Sequence, residues 1–110
     1  MHDVRELGIA EVVRRALEVV GAGPAYVSVD VDVLDPAFAP GTGTPEPGGM
    51  TSGDLLWACR RVAESLDLVG AEVVEVIPTA VGSADVTALV ADRIVREILT
   101  GIACREACAP

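Results

Sequence analysis

Two aspartates one residue apart, Asp30 and Asp32, stand in the stretch Ser28–Pro36, SVDVDVLDP. Alternation along an extended chain puts both carboxylates on one side. Two anions about 6 Å apart repel by roughly 3 kcal/mol at an effective dielectric near 20. A divalent cation would offset that repulsion, and an all-oxygen donor set suits Mg, Ca or Mn. The plainer alternative leaves one aspartate solvated and makes the other a cap for the loop that follows. Spacing alone does not separate the two. Asp35 precedes Pro36, and an aspartate in that setting starts a turn by bonding its own backbone. Glu75 lies in the Val-rich run VEVIP, Val74–Pro78, where an unpaired carboxylate would be expensive. It awaits either an arginine from elsewhere in a longer protein or a cationic group on a substrate. Glu72, facing the other way, reads as solvated.

Other chemistries are excluded. His2 is the only histidine and is terminal, so no Ser-His-Asp or Cys-His relay can be built within the chain. The loop GTGTPEPGG, Gly41–Gly49, fits neither GxxxxGK[ST] nor GxGxxG, which argues against a phosphate cradle. Cys59, Cys104 and Cys108 form no CxxC and read as reduced thiols in a cytosolic protein. Cys104 and Cys108 stand at helical spacing, which would allow metal binding, but their place in the last seven residues favours a frayed tail.

The elements that must position these residues follow from periodicity and punctuation. A helix is predicted over Asp3–Val20, where Ile9, Val12, Val13, Ala16, Leu17 and Val20 share a face. Asp3 and Glu6 fit a capping box at its start, and Gly21 to Pro24 stop it. Ala25–Val31 reads as a strand rich in β-formers. Leu34–Met50 holds four prolines and four glycines, a density that neither helix nor strand tolerates. Its low charge and fixed proline dihedrals point to an ordered, functional loop. A second helix, Thr51–Leu66, opens on the capping box Thr51–Asp54. Ala71–Ile77 reads as the second strand, ended by Pro78. Ser83 or Asp85 caps a third helix, closed by Gly101. Glu75 then lies on the same side of its strand as Val73 and Ile77. Strands alternating with helices imply parallel pairing with right-handed crossovers, hence an α/β fold. Ligands in such sheets bind beyond the carboxyl ends of the strands, where Asp30, Asp32 and Glu75 all fall.

The chain has 110 residues, room for one small domain. Its net charge of −9, from 17 acidic and 8 basic residues, excludes a nucleic-acid partner, which needs a basic patch. No apolar run reaches the roughly 18 residues of a membrane span, and the N-terminus MHDVRELG is too polar for a signal peptide. Mean hydropathy is positive, high for so small a domain. Strands buried on both faces would explain it, as would apolar surface that belongs against further polypeptide.

SVDVDVLDPAFAPGTGTPEPGG, Ser28–Gly49, together with VEVIP at the expected distance downstream, resembles the signature of the ureohydrolase family, the arginases, agmatinases and their relatives. The resemblance runs from about Asp3 to Gly101. It implies part of a three-layer αβα sandwich around a parallel sheet. It also implies a manganese-dependent hydrolase that cleaves a guanidino group to urea and an amine, with two Mn(II) ions activating water. Carried onto this chain, Asp30 would bridge both ions and Asp32 would bind one. Glu75 would pair with the substrate guanidinium, a carboxylate fork, and Thr44 would support that carboxylate. The intact enzyme would be cytoplasmic and homo-oligomeric and would take a small cationic guanidino substrate. The family's Gly-Asp-His and Asp-x-His-x-Asp motifs and its catalytic histidine are not in the chain. Residues 1–110 therefore read as the C-terminal part of a single ureohydrolase domain, inactive alone. Ile77 before Pro78, where arginases carry Asn, favours an agmatinase-like subgroup. The alternative is a truncated, non-catalytic module that works by associating with a partner chain.

Overall fold

The computed structural model of the protein describes residues 1–77 and 85–109. Its elements are α1 (His2–Leu7), α2 (Ile9–Val20), β1 (Pro24–Asp30), a 3-10 turn (Val31–Val33), α3 (Ser52–Ser65), β2 (Asp67–Val74) and α4 (Val86–Cys108). The strands pair in parallel, from Pro24 with Asp67 to Asp30 with Val74. The α/β class and parallel topology are as the sequence implies. No helix among the described residues is long and apolar enough to cross a membrane.

Several boundaries differ from those predicted. The first helix is two helices, because Gly8 adopts φ 80° and breaks it. The proposed Asp3–Glu6 capping box is not made: the cap is Met1, with no side-chain bond, and Asp3 sits in the first turn. There its carboxylate still faces the positive end of the helix dipole. The second strand begins at Asp67 and ends at Val74, against the predicted Ala71–Ile77. Its early start is set by packing: the Tyr26 ring lies across Gly70, where a Cβ would stand 2.7 Å from it. Its early end is set by Glu75, whose φ of 65° turns the backbone out of the ladder. Gly101 does not close the third helix. It lies buried inside α4, which runs on through Cys104 to Cys108. The tail is thus helical, not frayed.

Other signals are realised as read. Thr51 Oγ1 accepts from Asp54 N at 3.1 Å and donates to the Asp54 carboxylate at 2.8 Å, capping α3. Asp85 caps α4, accepting from Thr87 N at 3.0 Å. Ser83 and Pro78 lie outside the described residues.

The helices form one layer. α3 packs along α4 and α2 against α3, while Val27, Leu68 and Val73 of the strands turn toward the core they share. The opposite sheet face, with Tyr26, Ser28 and Glu72, is exposed. Glu72 is solvent-exposed there, as expected. The α3–α4 contact is very close because Gly101 has no side chain: a Cβ there would stand 2.6 Å from the Ala63 Cβ. Beside it, Glu97 is buried at 8% exposure. Burial alone would raise its pKa, but Arg93 and Arg60, at 2.7 and 2.6 Å, hold it below the usual value. The neighbouring thiol of Cys59 is buried, and burial together with the Glu97 charge pushes its pKa up to about 11.

Ile94 is fully buried at the centre of this interface. Truncation there leaves a cavity that a close-packed layer cannot collapse. Ile94→Ala is expected to lower stability by about 2–5 kcal/mol, read as a shift of the urea denaturation midpoint at unchanged slope.

Candidate metal and substrate site

The strand that carries Asp30 ends at that residue, and the chain tightens at once into the 3-10 turn. Asp30 caps this turn: its Oδ1 accepts from Asp32 N at 3.0 Å. Asp32 is therefore not the next same-side residue of a strand, as alternation predicted. It is carried round by the turn, and its backbone N–H is tied to the Asp30 carboxylate. The capping role foreseen as the alternative to metal binding is real, yet it engages only one oxygen. Asp30 Oδ2 and Asp32 Oδ1 have no hydrogen-bond donor among the described residues.

The loop after the turn is ordered by a clamp at its base. Met50 N donates to Val33 O at 2.8 Å and Asp35 N to Met50 O at 3.0 Å, making a parallel bridge between Leu34 and Met50. Asp35 does what its place before Pro36 suggests, accepting from Ala37 N at 2.9 Å. Its second oxygen also accepts from Gly48 N at 2.9 Å, across 13 residues. These two backbone donors hold its pKa below the usual value. Gly49 lets the strands of the clamp meet: a Cβ there would fall 2.6 Å from Val33 O. Arg5 of α1 adds an outer tie, donating to Gly48 O at 2.9 Å.

The far side of the loop is pinned to the helical layer. Gly41 N donates to Thr87 Oγ1 at 2.7 Å, and Ile77 N donates to Gly41 O at 2.8 Å. Thr87 is fully buried. Nothing in the sequence marked it, since a threonine just after a helix cap has no evident link to a loop 46 residues earlier. The pins bring Gly43 and Thr44 between the two strand ends. The Thr44 hydroxyl donates to Asp32 Oδ2 at 2.6 Å. Thr44 was expected to support Glu75; in this structure it supports Asp32 instead. Glu75 is reached by the preceding residue, its Oε2 lying 3.8 Å from where a Gly43 Cβ would be. Glu75 itself is exposed and just past the strand rather than within it. It makes no ion pair among the described residues.

Asp30, Asp32, Thr44 and Glu75 thus gather at the carboxyl ends of two parallel strands, on the loop geometry that the glycines permit. Over residues 1–101 the chain matches the family model described as the arginase family. The chain belongs to the arginase family. A guanidinopropionase of Pseudomonas aeruginosa is 57% identical over 100 residues, covering 90% of this chain and 30% of that protein. An agmatinase of Neisseria meningitidis is 46% identical over 96 residues, covering 87% and 31%. Among solved structures, a hypothetical agmatinase from Burkholderia thailandensis superposes with TM-score 0.86 at 42% identity, over 96% of this chain and 33% of its own. The proclavaminate amidino hydrolase of Streptomyces clavuligerus does so with TM-score 0.86 at 42% identity, over 94% and 35%. The chain spans about a third of the length of these arginase-family relatives.

The donor set fits a divalent cation in part. Two carboxylates offer free oxygens, but no group of three or more potential ligands occurs among the described residues. Two oxygen donors are about a third of the roughly six a hard cation asks for, or fewer.

The clamp makes a pH-dependent contribution of known sign. Because the folded pKa of Asp35 is depressed, its contribution is present above the ordinary carboxylate range and is lost as pH falls through the folded value. The denaturation midpoint should therefore drop in acid, and Asp35→Ala should lower it at neutral pH and flatten that part of the pH profile. Gly49→Ala should disrupt the clamp at every pH, read as faster amide exchange at Met50.

Proposed function

We propose that the chain is the C-terminal part of a manganese-dependent ureohydrolase, agmatinase-like, that cleaves the C–N bond of a small guanidino compound and releases urea. The observation that carries this is the pair Asp30 and Asp32. Each has one oxygen fixed, by Asp32 N and by Thr44 Oγ1, and one with no donor among the described residues. Two anions so held at the end of an apolar strand are a prepared half-site for cations. When bound, the metal supplies Lewis acidity and an activated water.

The chain's own residues prepare that chemistry. Asp30 and Asp32 supply negative charge at fixed positions. Thr44 holds one oxygen of the Asp32 carboxylate, so less ordering remains to be done on binding. Glu75 offers two carboxylate oxygens to a guanidinium, whose planar fork matches them. Its exposure leaves it free to meet a cationic substrate at the site's edge. The similarity to a guanidinopropionase and to agmatinases supports a guanidino substrate with a short polar tail. Further ligands and the groups that read the tail come from the rest of the protein. We place that protein in the cytoplasm, as a homo-oligomer.

A second reading is favoured by the absence of a complete ligand set among the described residues. In it the chain is a non-catalytic module that acts through association with a partner chain.

Mn(II) titration calorimetry on the chain, checked for folding by circular dichroism, tests the first reading. Binding in the micromolar range that weakens at least tenfold in Asp30→Asn is the expected result. Supplying the missing two-thirds should then restore urea release from agmatine or 3-guanidinopropionate. No binding by the folded chain, and no urea from the completed assembly, would leave the second reading.

A further inference from the structure

The last two turns of α4 carry a pair of thiols that the carboxylate site does not use. The arginase-family match ends at residue 101, and Cys104 and Cys108 lie beyond it. Both are exposed. The helix runs through them without a break, from Val86 to Cys108. Residues four apart in a helix stand on one face, with Cβ atoms about 5–6 Å apart. The turn that holds them is anchored, because Arg105 donates to the Asp67 carboxylate at 2.9 Å and ties it to the start of β2. The two thiols are thus presented to solvent side by side on a backbone that is held.

Three kinds of chemistry are open to such a pair, and geometry separates them. A disulfide needs Cβ atoms about 3.8 Å apart, so closing one would distort the last turn of the helix. Structural zinc takes four ligands in a closed tetrahedron, and no group of three or more potential ligands occurs among the described residues. Cys59 cannot complete a set, since it is buried within the α3–α4 contact. A soft monovalent cation such as Cu(I) selects thiolate ligands and is satisfied by two, with the ion lying between the sulfurs. A spacing too wide for a sulfur–sulfur bond leaves room for that ion. We propose that Cys104 and Cys108 form a two-thiolate site for a soft monovalent cation of the Cu(I) type. Binding displaces both thiol protons. Two neutral thiols and one cation become a complex of charge −1, and two protons pass to solvent, with no change of oxidation state. The site does not depend on the ureohydrolase reading. Its sulfur donors select soft ions, whereas the oxygens of Asp30 and Asp32 select hard ones, so the two places do not compete for the same metal.

The test is anaerobic titration of the reduced chain with Cu(I) against a coloured Cu(I) chelator, with circular dichroism followed alongside. One ion per chain is expected, with the helical signal unchanged. Cys104→Ser and Cys108→Ser should each weaken binding at least a hundredfold, whereas Cys59→Ala and Asp30→Asn should leave it within twofold. A double variant tests the helical face. Glu106→Cys combined with Cys108→Ser sets two thiols two residues apart, where they do not face each other, and should not restore binding. Restoration would mean that any nearby pair suffices and would overturn the site as built on the helix. Retention of the ion by both single serine variants would overturn it too, as would failure of the chain to compete with the chelator. Half an ion per chain, with a doubled mass by light scattering, would also overturn it, because the ligand set would then be four thiols shared between two copies.

Discussion

Everything at the site depends on how residues 34–50 are closed. A 17-residue segment without regular structure costs substantial entropy to fix, since each ordered residue loses about 1–2 kcal/mol of backbone freedom. The Leu34–Met50 bridge closes the segment at its neck. Asp35 then ties both ends of the interior by taking one backbone proton from Ala37 and one from Gly48. A single carboxylate thus replaces hydrogen bonds that a helix or strand would have supplied. Prolines within the segment reduce the freedom to be lost in the first place. With the neck closed, Thr44 stands exposed at the loop tip, where its hydroxyl reaches Asp32.

The helical layer supplies the second fixed point. α3 and α4 approach backbone to backbone at Gly101 and Ala63, and Arg60 and Arg93 neutralise the buried Glu97 between them. This sets where α4 begins, and therefore where Thr87 presents its hydroxyl to Gly41. A contact far from the strand ends thereby decides the height of the loop above them. Neither edge of the sheet has a further strand among the described residues, and its other face, with Tyr26, Ser28 and Glu72, is exposed.

Much of this was legible in the residues. The α3 boundary was, because Thr51 and Asp54 cap each other locally. The start of the Asp35 turn was, because Asp-Pro is a local signal. What could not be read depends on residues far apart in sequence. Gly70 belongs in β2 only because Tyr26 needs a flat surface opposite, and Gly101 continues a helix only because Ala63 presses against it. Gly8 carried the opposite lesson, since its backbone freedom breaks a pattern that is apolar at helical spacing throughout. At the site, Asp30, Asp32 and Glu75 were picked out by type and order, and Thr44 only by the resemblance to the ureohydrolases. Their mutual geometry was not: strand alternation gave way to a 3-10 turn, Thr44 turned to Asp32, and the left-handed backbone at Glu75 has no sequence signal in a Val-rich run. Thr87 was missed altogether, because its importance exists only across the fold.

Cys59 lies at the heart of the α3–α4 contact, and its thiol pKa near 11 keeps it almost wholly protonated at neutral pH. Thiolate is the reactive form, so burial protects this sulfur twice, by access and by ionisation. Cys104 and Cys108 on α4 have neither shield of burial. Two thiols can therefore be alkylated while the chain stays folded, and the third only when α3 and α4 separate. The molecule carries an internal clock for the opening of its helical layer, readable by mass as the third label arrives.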